Sequence, residues 1–338
     1  MSGDLVVLDR PERLSTVVRP TRVPIASEGN SIDAADLPHR GRHGGTAAAS
    51  LKASIRGLYD LTKPRIVMMI LITTAMSAMF LAGTDLSLWM LMHLMIGTAA
   101  VAGSASVMNQ FIEREADAKM MRTMKRPLPS GLVSPGAALI FGITIGLLGT
   151  AYLAINVGRS TAFVGVATWV GYVMLYTPLK QKTAWNTTVG AIAGALPMMM
   201  GFAAAGGSLT DPRGWLLVAV LFLWQYPHFM AIAWMYRGQY ADAGFKMTPV
   251  VEPTGKSAGW QAIAGALALP AVLITLVLPY NYAPLFAVLA VAASFGMIRS
   301  SFRFCGSPND VTARQLLMSS LVQLPASLAV LIAARLLG

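Results

Sequence analysis

Residues 109–127 hold the side chains whose types and spacing best suit chemistry. Asn109, Glu113 and Asp117 recur at i, i+4 and i+8, so on a helix they share one face. Lys119, Arg122, Lys125 and Arg126 follow at once. Mg²⁺ takes hard oxygen ligands, commonly one or two carboxylates together with phosphate oxygens of a substrate. Arg meets phosphate through a bidentate fork. An oxygen stripe beside a cluster of cations therefore suits a magnesium–diphosphate site. The stripe ends a long apolar run, and acids close to hydrocarbon are costly, which favours function over a merely solvated face. The competing explanation is an acidic helix end balanced by nearby bases. Glu115 lies off the shared face and is expected to be solvated or paired with a neighbouring base.

The elements that must position this stripe are membrane helices. Of 338 residues, 55% are hydrophobic and only 12% charged, against about 25% charged in a soluble domain. From residue 66 onward nine apolar segments recur, near 66–83, 89–112, 134–155, 160–176, 187–206, 215–236, 260–279, 282–298 and 315–336. Each is close to the ~20 residues a spanning helix needs. The predicted fold is an all-α polytopic membrane protein. Pro64, Pro135 and Pro284 fall at helix starts, where proline is tolerated. Pro197, Pro227, Pro270 and Pro325 fall inside runs and predict kinks or local unwinding. Residues 1–57, rich in Arg, Pro, Ser and Gly, read as a disordered tail, and 58–338 as the membrane domain. Six acids in that tail, from Asp4 to Asp36, argue against a mitochondrial transit peptide. The single cysteine, Cys305, excludes a disulfide framework.

The net charge of +11 does not indicate nucleic acid, because the cations sit in short segments between apolar runs. With the tail inside, 23 of the 26 Lys and Arg fall on one side; only Arg159, Arg213 and Arg335 lie opposite. By the positive-inside rule the expected arrangement is a bacterial cytoplasmic membrane protein. Its N-terminus and acidic stripe would face the cytoplasm, and its C-terminus would lie outside.

Asn109 through Gly131 (NQFIEREADAKMMRTMKRPLPSG) closely resembles a signature of the UbiA superfamily of intramembrane prenyltransferases, in its haem branch, the protohaem IX farnesyltransferases. Leu61–Arg65 (LTKPR), Tyr176–Asn186 (YTPLKQKTAWN) leading into Gly190–Gly201, Phe222–Phe229 (FLWQYPHF) and Tyr240–Val251 match the same family in order. The resemblance covers about 60–300. It implies nine transmembrane helices around a central cavity. It also implies transfer of a farnesyl group from farnesyl diphosphate to a vinyl group of haem B, with water addition, giving haem O. Haem A synthase or terminal-oxidase assembly factors would be partners. The nearest rival is a UbiA-type enzyme acting on a quinone precursor or other aromatic acceptor. A transporter is the rival from another class, but coupling ions usually sit near the bilayer midplane, not at an interface.

On this resemblance Asn109, Glu113 and Asp117 hold Mg²⁺. Tyr176 and Lys180 form the family's Tyr-x-x-x-Lys pair, Lys180 for diphosphate and Tyr176 for orientation or cation stabilisation. A belt tyrosine and a snorkelling lysine would look the same. Lys63, Arg65, Lys119, Arg122 and Arg126 are candidates for diphosphate or haem, as is His228 for haem. His93, in the predicted outer half, is assigned nothing. The Met- and Gly-rich stretch 194–206 is expected to line an apolar cavity. One departure stands out: family members carry an aspartate where this chain has Gln239, so Asp242 is expected to take over the second metal site.

Overall fold

The computed structural model describes residues 47–338. Residues 1–46, most of the predicted tail, lie outside the described residues. Residues 47–57 differ from the expectation of disorder, because they belong to helix α1 (Ala47–Leu61). The cause is a packed end. Leu61 is buried among Val107, Leu128, Val133 and Ala138, with Leu58 beside it, while Ile55 and Tyr59 stay exposed. A helix with basic residues between exposed apolar ones suits the bilayer surface.

Among the described residues nine helices are long and apolar enough to span a membrane. They are α2 (Pro64–Ala82), α3 (Leu88–Ala118), α4 (Pro135–Asn156), α5 (Arg159–Leu179) and α6 (Asn186–Ala204), followed by α7 (Pro212–Met235). Two short helices, α8 (Arg237–Asp242) and α9 (Thr248–Val251), precede α10 (Lys256–Val277), α11 (Ala283–Gly306) and α12 (Asp310–Leu337). The starts follow local chemistry. Pro64, Pro135 and Pro212 occupy first turns, and the side chains of Ser134, Asp211 and Asn309 accept backbone N–H bonds there. The helices remain continuous through Pro197, Pro227, Pro270 and Pro325.

Two features of this bundle position the site. First, α3 runs to Ala118, well past its apolar run, so the whole acidic stripe is helical. Second, α6 threads between α2, α5 and α7 on small residues. A Cβ on Gly201 would strike the carbonyl of Thr74 in α2, which is how membrane helices approach closely. Met198, Met199 and Met200 are fully buried in the main core with Phe202. They fill space between helices, which corrects the expectation that this stretch lines a cavity. The interior character of α7 is plain: no residue from Leu216 to Tyr236 is exposed.

Candidate active site at the inner ends of α2, α3 and α5

The stripe faces inward. Asn109, Glu113 and Asp117 are 1%, 5% and 1% exposed, although the last two carry charge beyond the apolar run. Each is met by a side chain from another segment. Lys63, held in the left-handed region (φ 52°) just before Pro64, donates from Nζ to Asn109 Oδ1 at 2.8 Å. Lys180 Nζ forms an ion pair with Glu113 Oε1 at 2.7 Å. Arg126 Nη1 donates to Asp117 Oδ2, also at 2.7 Å.

A π-helical turn, Gly171–Tyr176, aims the α5 contribution. Such insertions often mark functional sites. The turn leaves the Tyr172 carbonyl to accept from Thr177 Oγ1 at 2.8 Å. That hydroxyl's one proton is thereby used, so Thr177 Oγ1 accepts from Asn109 Nδ2 at 3.1 Å. The amide orientation of Asn109 follows, with its nitrogen toward α5 and its oxygen toward Lys63. The same turn brings the Tyr176 ring to 4.6 Å from Lys180 Nζ, a cation–π distance. Thr177 was not singled out in the sequence, although it lies inside the Tyr176–Lys180 motif.

The electrostatics suit an anion and a cation together. Three cations, Lys63, Lys180 and Arg126, face two carboxylates. Removal from bulk water, and then the charge of Arg126, press the Lys63 ammonium down to about 7. A lysine in that position gains from an arriving anion. Burial opposes the charge on Lys180, but Glu113 together with Tyr176 and Tyr172 outweighs it and holds that ammonium above its ordinary pKa. Asp117 Oδ1 is buried with no partner. Such an orphan oxygen is unfavourable unless something cationic meets it. Among the described residues no three acidic, His or Cys side chains converge. Two carboxylates and an amide oxygen therefore fit a hard ion such as Mg²⁺ that completes its shell with water and phosphate. They do not suit an all-protein cage.

Other expected residues lie elsewhere. Arg65, Lys119 and Lys125 are exposed. Glu115 is exposed and paired with Arg114 at 3.3 Å. Arg122 joins two loops: its backbone N–H donates to Gln239 Oε1 at 3.2 Å, and its guanidinium lies 4.7 Å from the Tyr236 ring. Gln239 is thus engaged in tying the segment after α3 to α8. Asp242 is exposed at the end of α8, with no ion-pair partner among the described residues. His228 sits apart from the stripe, between α7 and α12. Beyond the sequence expectations, Asn186 Nδ2 donates to the Lys246 carbonyl at 2.9 Å. Lys246 N donates to the Lys180 carbonyl at 2.6 Å, so the loop after α8 buttresses Lys180.

The nine spans among the described residues form a helical bundle, and residues 70–329 match the UbiA prenyltransferase family. The chain belongs to that family. Among its relatives, protoheme IX farnesyltransferase from Rhodopirellula baltica is 50% identical over 81% of this chain and 98% of its own. The protein of the same name from Solibacter usitatus is 41% identical over 80% and 96%. Solved structures share the fold at low identity. A digeranylgeranylglyceryl phosphate synthase aligns with TM-score 0.68 and 13% identity over 84% of this chain and 99% of that one. A UbiA homologue from Archaeoglobus fulgidus bound to GPP and Mg²⁺ gives TM-score 0.60 and 16% identity over 81% and 99%.

Proposed function

We infer that the protein transfers the farnesyl group of farnesyl diphosphate to a vinyl group of haem B, with addition of water, releasing haem O and diphosphate. One observation supports this above others. A buried stripe of two carboxylates and an amide is met by lysines and arginine from three segments, in a chain half identical to a protoheme IX farnesyltransferase.

In the reaction the bond between the allylic carbon and the diphosphate oxygen breaks. The terminal vinyl carbon bonds to the allylic carbon, water oxygen adds to the other vinyl carbon, and a proton leaves. The difficult step creates a delocalised cation and a strongly charged leaving group. Asn109, Glu113 and Asp117 are the residues that would hold Mg²⁺, which when bound supplies charge stabilisation to the departing diphosphate. Lys63, Lys180 and Arg126 are already gathered before substrate arrives, so little reorganisation is needed as charge develops. Burial of these groups keeps the local dielectric low and strengthens each contact. The Tyr176 ring, fixed by the π-helical turn, offers its negative face to cations; in the resting site it holds Lys180. Arg65, Lys119 and Arg122, on the exposed rim, would steer the anion inward. Asp242 stands free at the same rim to accept a second ion.

Membranes containing the protein, given haem B, farnesyl diphosphate and Mg²⁺, should form haem O. Chelation should stop the reaction and Mg²⁺ should restore it. Prenylation of a quinone-type aromatic acid instead of haem would overturn this reading.

A further inference from the structure

A cavity of about 400 Å³ lies beside α7, bounded by the starts of α6 and α10 and by the short helix α9. That volume is within the range of ligand pockets. Helices α6 and α10 both pack along α7, and Thr188, Gln261 and Tyr226 bring one polar side chain from each to the wall. The rim is open to the surroundings: Trp185 and Val251 are 72% and 57% exposed, and Trp260 in the first turns of α10 is 64% exposed. Exposed tryptophans at span ends mark the depth of lipid headgroups. No residue of the stripe, and none of the bases that meet it, lines this cavity.

The lining carries one charged side chain, Glu252, and no Lys or Arg. Glu252 has no ion-pair partner among the described residues. Its loop holds the carboxylate in place. Oε1 accepts from the Thr254 backbone N–H at 2.9 Å and from the Thr254 hydroxyl, and Oε2 accepts from the Ser257 N–H at 2.8 Å. These donors, the Thr254 hydroxyl first, hold the carboxyl below its ordinary pKa, so the charge is permanent at neutral pH. Two bonds fill Oε1, whereas Oε2 keeps an acceptor site. Gln261 donates from Nε2 to Ser257 Oγ at 3.2 Å, and its Oε1 accepts no hydrogen bond among the described residues. Tyr226 Oη donates to Thr188 Oγ1 at 2.9 Å and keeps its lone pairs. The open positions on Glu252, Gln261 and Tyr226 are therefore all acceptors. An anionic headgroup finds no cation in this wall. An ammonium finds a fixed carboxylate, neutral acceptors, and the ring faces of Trp185 and Tyr226. We propose that the cavity binds the headgroup of a primary-amine phospholipid of the phosphatidylethanolamine type. The phosphate next to that ammonium meets Lys256, which is exposed at the start of α10 and near enough for its charge to act on Glu252. The acyl chains follow Ile192 of α6 and Leu267 of α10, 50% and 49% exposed. A choline headgroup lacks the N–H donors that Glu252 and Gln261 call for.

The test uses the full chain, purified in detergent, stripped of lipid and read by native mass spectrometry. Phosphatidylethanolamine, phosphatidylcholine and phosphatidylglycerol with identical acyl chains are added in turn. Wild type should hold phosphatidylethanolamine about tenfold more tightly than either of the others, the worth of one hydrogen bond to a charged group. Glu252→Gln should remove most of that preference. Gln261→Leu should do the same while leaving the Glu252 loop bonds intact, so a folding defect in the first variant does not decide the matter. Lys256→Ala should weaken all three lipids alike, through their shared phosphate, and leave the preference in place. Glycerophosphoethanolamine, the same headgroup without chains, should not displace the lipid at equal concentration. No preference in wild type, or a preference that survives both Glu252→Gln and Gln261→Leu, overturns the proposal. Displacement by the soluble headgroup would make the ligand a free amine and overturn the lipid assignment.

Discussion

At the scale of single residues the site is a set of pairs, and pairs separate structural from chemical roles. Glu113 and Lys180 are both buried, at 6% and 14% side-chain exposure and 2.7 Å apart. Glu113→Gln leaves the Lys180 charge in a dry site, which should lower stability by about 3–5 kcal/mol. The double variant Glu113→Gln/Lys180→Met removes both charges and should recover most of that loss in thermal unfolding, yet stay inactive in the haem O assay. Activity in the double variant would reduce the pair to a structural bridge. The second motif poses a sharper choice. Gln239 is engaged with the backbone of Arg122, whereas the exposed Asp242 carboxylate has no ion-pair partner among the described residues. Asp242→Asn should therefore abolish turnover and Gln239→Ala should be mild; the reverse pattern would assign the second site to Gln239. The spacing of Asn109, Glu113 and Asp117 is legible in the sequence because a helix converts i, i+4, i+8 into a stripe. Which base answers which member of the stripe is not legible, because Lys63 and Lys180 are 46 and 67 residues from Asn109 and Glu113. A lysine before a membrane helix reads equally as a headgroup anchor.

At the scale of elements, apolar length was enough to locate the nine spans among the described residues, because hydrocarbon leaves the backbone no alternative to the helix, but it missed the polar ends: α3 runs on to Ala118, α11 to Gly306, and α12 starts at Asp310. The turn that matters most was invisible. Gly171–Tyr176 reads as one more apolar stretch, and nothing in its composition announces a π-helical insertion. The helix α1 is different: its apolar residues gather on one face, and Leu61 at its end docks on α3 and α4. Two glycines of α6 test these elements separately. A Cβ at Gly201 would meet backbone, the Thr74 carbonyl, which cannot yield without parting α2 from α6. A Cβ at Gly190 would meet the Tyr176 ring, a side chain that can swing. Gly201→Ala should thus lower unfolding stability by about 1–3 kcal/mol. Gly190→Ala should leave the unfolding temperature nearly unchanged while cutting turnover, since it displaces the ring beside Lys180. Equal thermal losses in both would deny Tyr176 its positioning role.

At the scale of the whole molecule, charge placement and site placement rest on one assumption about sidedness. The contacts that assemble the site join the start of α2, the end of α3, the end of α5 and the loop after α8. Because consecutive spans alternate in direction, those segments share one face, and that face carries most of the Lys and Arg among the described residues. Two independent features, the basic residues and the diphosphate chemistry of the stripe, then demand the same compartment. By the positive-inside rule we propose that the basic loops face the cytoplasm, where soluble diphosphates and Mg²⁺ would be met. Lys182 in the α5–α6 turn and Arg159 at the start of α5 are both exposed and lie at opposite ends of the same span. Cysteines can therefore be placed singly at these positions after the lone native Cys305 is changed to Ser. A membrane-impermeant maleimide should label Lys182→Cys only in inside-out vesicles, and Arg159→Cys only in intact cells stripped of their outer envelope. Labelling of Lys182→Cys from outside would turn the stripe away from the cytoplasm. The prenyl diphosphate would then have to cross the bilayer before it could reach Lys63, Arg126 and Lys180.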